Sequence, residues 1–289
     1  MRGSAPMSAD PDQLRAASLA QWEGSAAGWG RRAREIQRTA APVSLWMIEA
    51  IDPQPGHTVL ELAAGPGETG FLAAELVRPG GGLICTDFAE PMLEVARARA
   101  AEMGLRNVEF RRLDAESMDL EAASVDRVLC RWGYMLMADP AAALRETRRV
   151  LRPGGRVALA AWGLAEENPW VSIAGRIVRE RLGAPEPDPA APGMFALGPP
   201  GRIEQLLGDA GFTDVRTEAI DLTQAYDSFE DWLEMTRDLA KPMADLFDAM
   251  EPGPREATLA AVRDAFEPYA QADGSLTFPA RTLVARAGA

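Results

Sequence analysis

Thr58-Val-Leu-Glu-Leu-Ala-Ala-Gly-Pro-Gly-Glu-Thr-Gly70 is the stretch that decides the fold. Val59, Leu60, Leu62 and Ala63 form a short apolar run broken only by Glu61, the pattern of a parallel strand covered on both faces. Gly65 and Gly67 lack a Cβ, so the backbone after the strand can turn sharply and approach a ligand closely. Glu68 to Val77 then reads as a helix whose N-terminus faces that turn. Ligands of open α/β sheets bind at this carboxyl edge, so the stretch predicts a ligand cradle.

Outward from the cradle the same alternation repeats. A strand over Leu83–Thr86 ends at Asp87, and Glu90-Pro91 opens a helix closed by Gly104. Val108–Leu113 is a third strand ending at Asp114. Val125–Cys130 is a fourth, followed by Arg131-Trp132. Asp139-Pro140 caps a helix, Pro153-Gly154-Gly155 turns the chain, and Arg156–Trp162 is a fifth strand. The order predicts a doubly wound, mostly parallel α/β sheet. Asp10 to about Asp52 reads as several helices covering one end of it. Further on lie a helix from Pro169 to Leu182, a proline-rich loop from Ala184 to Pro200 carrying Phe195, a short helix, and a strand over Asp214–Leu222. Ser228 and Asp231 resemble a capping box ahead of helices to about Ala270, and Leu276–Ala287 is a last strand. The expected organisation is a leader over 1–6, an N-terminal helical cover over 7–55 and a cofactor-binding core over 56–165. A helix, loop and strand occupy 166–222, a helical lid 223–272, and the last strand 273–289.

Bulk properties narrow the function. The 289 residues carry 30 Lys+Arg against 43 Asp+Glu, a net charge of −13, which removes the electrostatic footprint of a nucleic-acid binder or an anionic-membrane binder. No run approaches the ~18 apolar residues of a membrane span. Two cysteines, Cys85 and Cys130, sit in strand-like runs and read as buried thiols, which fits a cytoplasmic location. No metal site is expected. The lysine-poor, Ala/Arg-rich composition points to a high-GC genome and a setting in specialised metabolism. Asp87 follows Gly67 by about 20 residues, a spacing suited to a carboxylate that accepts from both hydroxyls of a ribose. Asp114 is placed to accept from an adenine amine, with Ala115 as its backbone partner and Phe88 and Met92 against the base.

The ordered set Glu61-Leu-Ala63-Ala-Gly65-Pro-Gly67, the strand ending Asp87, Leu113-Asp114-Ala115, Asp126–Cys130 and Leu144–Gly155 resembles the motifs of class I S-adenosylmethionine-dependent methyltransferases, most closely the branch containing the ubiquinone and menaquinone C-methyltransferases. The likeness covers about residues 40–165. Ala63 stands where many members carry a glycine. The resemblance implies a seven-stranded Rossmann-like sheet with an antiparallel last hairpin and S-adenosylmethionine as cofactor. It places Gly65 and Gly67 beside the methionine part with Glu61 beneath it, Asp87 at the ribose, Asp114 and Ala115 at the adenine, Arg131 at the methyl end and Trp29 over the sulfonium. Trp132, Tyr134, Met135, Trp162, Phe195 and Trp232 are candidates for the wall of a small-molecule substrate pocket.

Other readings stay open at this point. Gly65-x-Gly67-x-x-Gly70 also fits a dinucleotide fingerprint, although the single lysine, Lys241, excludes the Tyr-x-x-x-Lys pair of short-chain dehydrogenases. A protein that binds the cofactor or its demethylated product without methyl transfer is a further alternative. The only histidine, His57, precedes the first strand, at the edge away from the cradle, and is a poor base. The expected mechanism is in-line displacement through proximity and desolvation, and the resemblance favours a carbon acceptor. Arg31-Arg32-Ala-Arg34 reads as a solvated face. Trp22 and Trp29, if exposed, would mark a surface for a homo-oligomer.

Overall fold

The structure, a computed structural model, describes residues 11–186, 188 and 191–289. The expected leader over 1–6, and Pro187 and Pro189 of the proline-rich loop, lie outside the described residues.

Seven strands form one sheet in the order β3-β2-β1-β4-β5-β7-β6. They are β1 (Thr58–Glu61), β2 (Gly82–Asp87), β3 (Val108–Arg112), β4 (Val125–Arg131), β5 (Leu151–Trp162), β6 (Thr213–Tyr226) and β7 (Leu276–Gly288). All pairings from β3 to β5 are parallel, while β7 runs antiparallel between β5 and β6. Helices α2 (Thr69–Leu76), α3 (Glu90–Glu102) and α4 (Pro140–Val150) connect the parallel strands. The chain winds from β1 outward through β2 to β3, then crosses back to β4 on the other side of β1. That reversal opens a crevice at the carboxyl ends of β1 and β4, where ligands of such sheets sit.

Two expectations are corrected. The region before β1 is a single 41-residue helix, α1 (Pro11–Ile51), which runs on through Pro42. At 1.5 Å per residue it is roughly 60 Å long, enough to cross the whole molecule. Its last turns bury Val43, Met47 and Ile51 in the main core, and its first half runs over α3. The Pro153-Gly154-Gly155 segment does not precede β5 but lies inside it as a bulge: β4–β5 pairing jumps from Val125↔Leu151 to Arg127↔Arg156, with Gly154 at φ +78 taking the kink.

Beyond β5 come α5 (Pro169–Leu182), α6 (Arg202–Asp209), α7 (Phe229–Leu239), α8 (Lys241–Ala249) and α9 (Pro252–Phe266). Ser228 caps α7 by accepting from the Asp231 N–H, and the Asp231 carboxylate returns to the N–H of Asp227, one residue earlier than in a standard capping box. Ala174 and Ile177 of α5 join Phe229, Trp232, Val262, Phe266 and Phe278 in a second apolar cluster separate from the sheet core. Among the described residues no helix is long and apolar enough to cross a membrane.

Candidate functional site

The glycine turn is held open by alternating backbone handedness. Ala63, Gly65 and Gly67 have φ of +49, +54 and +72. Ala63 thus takes the left-handed conformation a glycine adopts freely, at a cost of about 1 kcal/mol. A Cβ built on Gly65 would meet no atom within 4 Å, so the turn faces open space there, whereas one on Gly67 would strike the Phe71 ring at 2.4 Å. On either side the chain stays zipped to the sheet, Leu62 N–H donating to Leu129 and Ala64 N–H to Thr86.

Three carboxylates surround the turn. Asp87, 8% exposed, accepts from the N–H groups of Gly65 (2.9 Å) and Ala89 (2.9 Å), which brings the end of β2 against the turn. Burial pushes its pKa up, and the backbone donors counter only part of that. Glu61 accepts from Gly70 N–H at 2.8 Å, and its second oxygen is buried without a partner. Desolvation drives its pKa up to about 7 against the pull of that N–H and of Arg131. Glu68 was not singled out in the sequence, yet its buried carboxylate lies 2.5 Å from Arg131 and 3.6 Å from Arg99, which also donates to the Pro66 carbonyl. Its only sequence signal was adjacency to Gly67.

At the end of β3, Asp114 accepts from the Glu116 N–H, which shapes the Asp114-Ala115 turn. Glu116, also missed, accepts from the Ala138 N–H and from Arg15 of α1 at 3.0 and 2.5 Å, joining three segments. Met92 packs with Ala26 and Ala89, with Leu19, Trp22 and Trp29 against them. Trp22 and Trp29 therefore line an internal contact instead of the exposed surface considered for an oligomer. The Trp29 indole N–H donates to the Leu239 carbonyl at the end of α7. Phe88 is half-buried, and its carbonyl accepts from Arg112.

Past β4, Trp132 sits at φ +58 and stacks on Trp162 with centroids 4.4 Å apart and planes 12° from parallel. Trp170, absent from the sequence-based set, meets Trp162 edge-on at 5.4 Å. The Trp132 indole N–H is fixed by the Thr282 hydroxyl at 2.8 Å. Met135 is buried and its carbonyl accepts from Gly193 N–H, docking the proline-rich loop, with Phe195 half-buried in the same packing. Two other candidates are elsewhere. Tyr134 is fully buried with its hydroxyl 2.6 Å from that of Thr147, beneath α4, and Trp232 belongs to the second apolar cluster. A hydrophobic residue at helical spacing fills a core as readily as it lines a pocket, and here the core won.

Asp87, the glycine turn and Arg131-Trp132 thus meet at the switch point of the sheet. A methyltransferase domain family matches residues 53–181. Nocamycin O-methyltransferase of Saccharothrix syringae is 31% identical over 256 residues, 85% of this chain and 90% of that protein. The chain belongs to the S-adenosylmethionine-dependent methyltransferases. The quinone branch aligns over a shorter region: a ubiquinone/menaquinone C-methyltransferase of Acidiphilium cryptum is 40% identical over 117 residues, 39% of this chain and 46% of that enzyme. The solved structure of YcgJ from Bacillus subtilis shares the fold, with a TM-score of 0.59 at 22% identity, covering 85% of this chain and 97% of that one. Membership of this family settles the dinucleotide alternative against an oxidoreductase and names S-adenosylmethionine as cofactor. The open space at Gly65 and the buried carboxylates around it suit that ligand.

Proposed function

We propose that this methyltransferase transfers methyl to an acidic oxygen of a small, hydrophobic metabolite, by in-line displacement driven through proximity and desolvation. When bound, S-adenosylmethionine supplies an electrophilic methyl group on a sulfonium. Ala63, Gly65 and Gly67 would cradle its amino-acid end above Glu61, Asp87 would accept from the ribose, and Asp114, Ala115, Phe88 and Met92 would frame the adenine. Trp29 and Arg131 would close the methyl end. Trp132, Trp162, Met135 and Phe195 are the residues of the acceptor wall, to which Trp170 is added.

One observation carries the choice of acceptor: the carboxylates and the tyrosine nearest this edge are buried or tied to the protein's own groups, and Glu61, which keeps one oxygen without a partner, is only 3% exposed and closed in against Gly70. Asp87 and Glu61 hold backbone N–H groups, Glu68 holds two arginines, Glu116 holds Arg15 and Ala138, and the Tyr134 hydroxyl is buried against Thr147. Burial also raises the Tyr134 pKa well above its ordinary value, so it stays neutral. His57 lies before β1 at the opposite end of the strands, its Nδ1 accepting from Gln54 N–H. An acceptor that ionises by itself near neutral pH needs none of them. The relative matched over nearly its whole length carries O-methyltransferase in its name, which supports oxygen over carbon.

The test is methyl-labelled cofactor supplied with a panel of aromatic and polyketide-type acids. Label in an ester, released as methanol by mild alkali, is the expected result. A single Asp, Glu or Tyr replacement that lowers turnover by about 10²-fold with cofactor binding intact would assign a general base and overturn it.

A further inference from the structure

Arg131 ends β4 beside the glycine turn, and its side chain is 8% exposed. Nη2 donates to Glu68, but Nη1 is buried with no acceptor. Glu68 is divided between Arg131 and Arg99, so two guanidinium groups share one carboxylate. The Arg131 guanidinium lies 4.8 Å from the Trp132 ring centroid, and that ring is pinned by its stack on Trp162 and its bond to Thr282. Held from behind in this way, Arg131 cannot swing Nη1 out to water without abandoning Glu68 and the indole. A charged donor buried without a partner is expensive, and such groups persist where a ligand completes them.

We propose that Nη1–H of Arg131 receives a carboxylate, and that this carboxylate is the methyl acceptor itself. The inference rests on the preceding reading of an acidic oxygen and names its class. Guanidinium–carboxylate bonds are short and charge-assisted, and the adjoining indoles suit a flat apolar body attached to the acid. In the transfer, a carboxylate oxygen forms the new bond to the methyl carbon as the carbon–sulfur bond breaks. The electron pair stays on sulfur as a thioether, the product is a neutral methyl ester, and no proton moves. Because the ester has lost the charge that Arg131 recognises, binding at this donor weakens on turnover, which favours release. A carboxylate is also present on the amino-acid end of the cofactor, so the test must separate the two sources.

The experiment is calorimetric titration of the full chain and of Arg131→Gln and Arg131→Lys. The ligands are S-adenosylhomocysteine, 5′-methylthioadenosine, and, on protein saturated with S-adenosylhomocysteine, 2-naphthoate and 2-naphthamide. The wild type is expected to bind the acid and not the amide. Arg131→Gln should lose about tenfold or more in naphthoate affinity beyond any loss that S-adenosylhomocysteine and 5′-methylthioadenosine share, and Arg131→Lys should recover part of the loss. A wild type that ignores naphthoate, or a Gln variant that binds it unchanged, overturns the proposal. So does a loss of S-adenosylhomocysteine affinity in Arg131→Gln that methylthioadenosine, lacking the amino-acid carboxylate, does not share. If the Gln variant fails to fold, the Lys variant is decisive, since it keeps the charge and loses the planar donor. Label found only on carbon or nitrogen would overturn the acidic-oxygen reading, whereas the naphthoate titrations decide Arg131 independently of it.

Discussion

Glu61 gives the sharpest check on the electrostatics of the cradle. Its carboxyl ionises near pH 7 in the folded protein and near its ordinary 4.5 when the chain is unfolded, because burial outweighs the Gly70 N–H bond and the attraction of Arg131. Between those values the folded state holds the proton and the unfolded state does not, so stability falls as pH rises through this window and then levels off above it. Integrating that linkage from pH 5 to pH 8.5 gives a loss of about 2–3 kcal/mol from this one group. Glu61→Gln removes the titration while keeping a carbonyl for Gly70. Its amide nitrogen would sit against Gly70, where Oε2 now stands, which adds an offset that does not vary with pH. The quantity to measure is therefore the difference between variant and wild type in urea unfolding at each pH, so that all other titrating groups cancel. The Gln variant should gain about 2–3 kcal/mol relative to wild type between pH 5 and pH 8.5. A difference that stays flat over that range would refute the claim that Glu61 is desolvated and poorly compensated.

Two further substitutions probe the packing. Gly28 lets α1 cross α7 so closely that a Cβ would lie 2.0 Å from the Asp238 carbonyl oxygen, and backbone cannot step aside as a side chain can. Gly28→Ala should cost about 1–3 kcal/mol by thermal or urea unfolding and expose α1 to proteolysis, and an unchanged melting temperature would contradict the close crossing. Tyr134→Phe removes one buried hydrogen bond, so it should cost about 1 kcal/mol in stability, with turnover within about threefold of wild type; a loss near a hundredfold would return Tyr134 to the chemistry.

The parts of this molecule that were legible in the sequence share a physical property: their signals are local. The strand into Gly65, the acid closing β2, the proline that opens α3 and the Asp139 cap of α4 each follow from neighbouring residues obeying one backbone rule. What stayed hidden depends on partners far along the chain. Glu68 gave no sign that it would hold Arg99 and Arg131, which approach from α3 and β4. Trp170 becomes part of the indole group only because β5 and α5 meet at one edge. Tyr134 and Trp232 have the composition of pocket residues and were drawn into cores, since an aromatic ring next to a strand end satisfies either environment. The several helices expected before β1 are one, because the helix forgoes one backbone hydrogen bond at Pro42 and continues.

That uninterrupted helix explains how a surface segment reaches the site. Its C-terminal half is fixed by core burial, and Arg127 reaches from β4 to the Ile51 carbonyl at its end. Its N-terminal half has a different set of anchors: Arg15 on Glu116, Trp29 on the Leu239 carbonyl, and Arg31 and Arg32 on Asp238. Between those anchors Leu19, Trp22, Ala26 and Trp29 pack with Ala89 and Met92, and Gly30 lies close against Val95 of α3. Arg32, Asp238 and Glu116 are only 17, 16 and 6% exposed, so these pairs are shielded from solvent and salt and, with the close crossing at Gly28, fix this half of α1 over α3 and α7. Met92 opens α3 two residues beyond its start, and Ala89 donates to Asp87, so displacement of this half would uncover the side of the cradle where Asp87 lies.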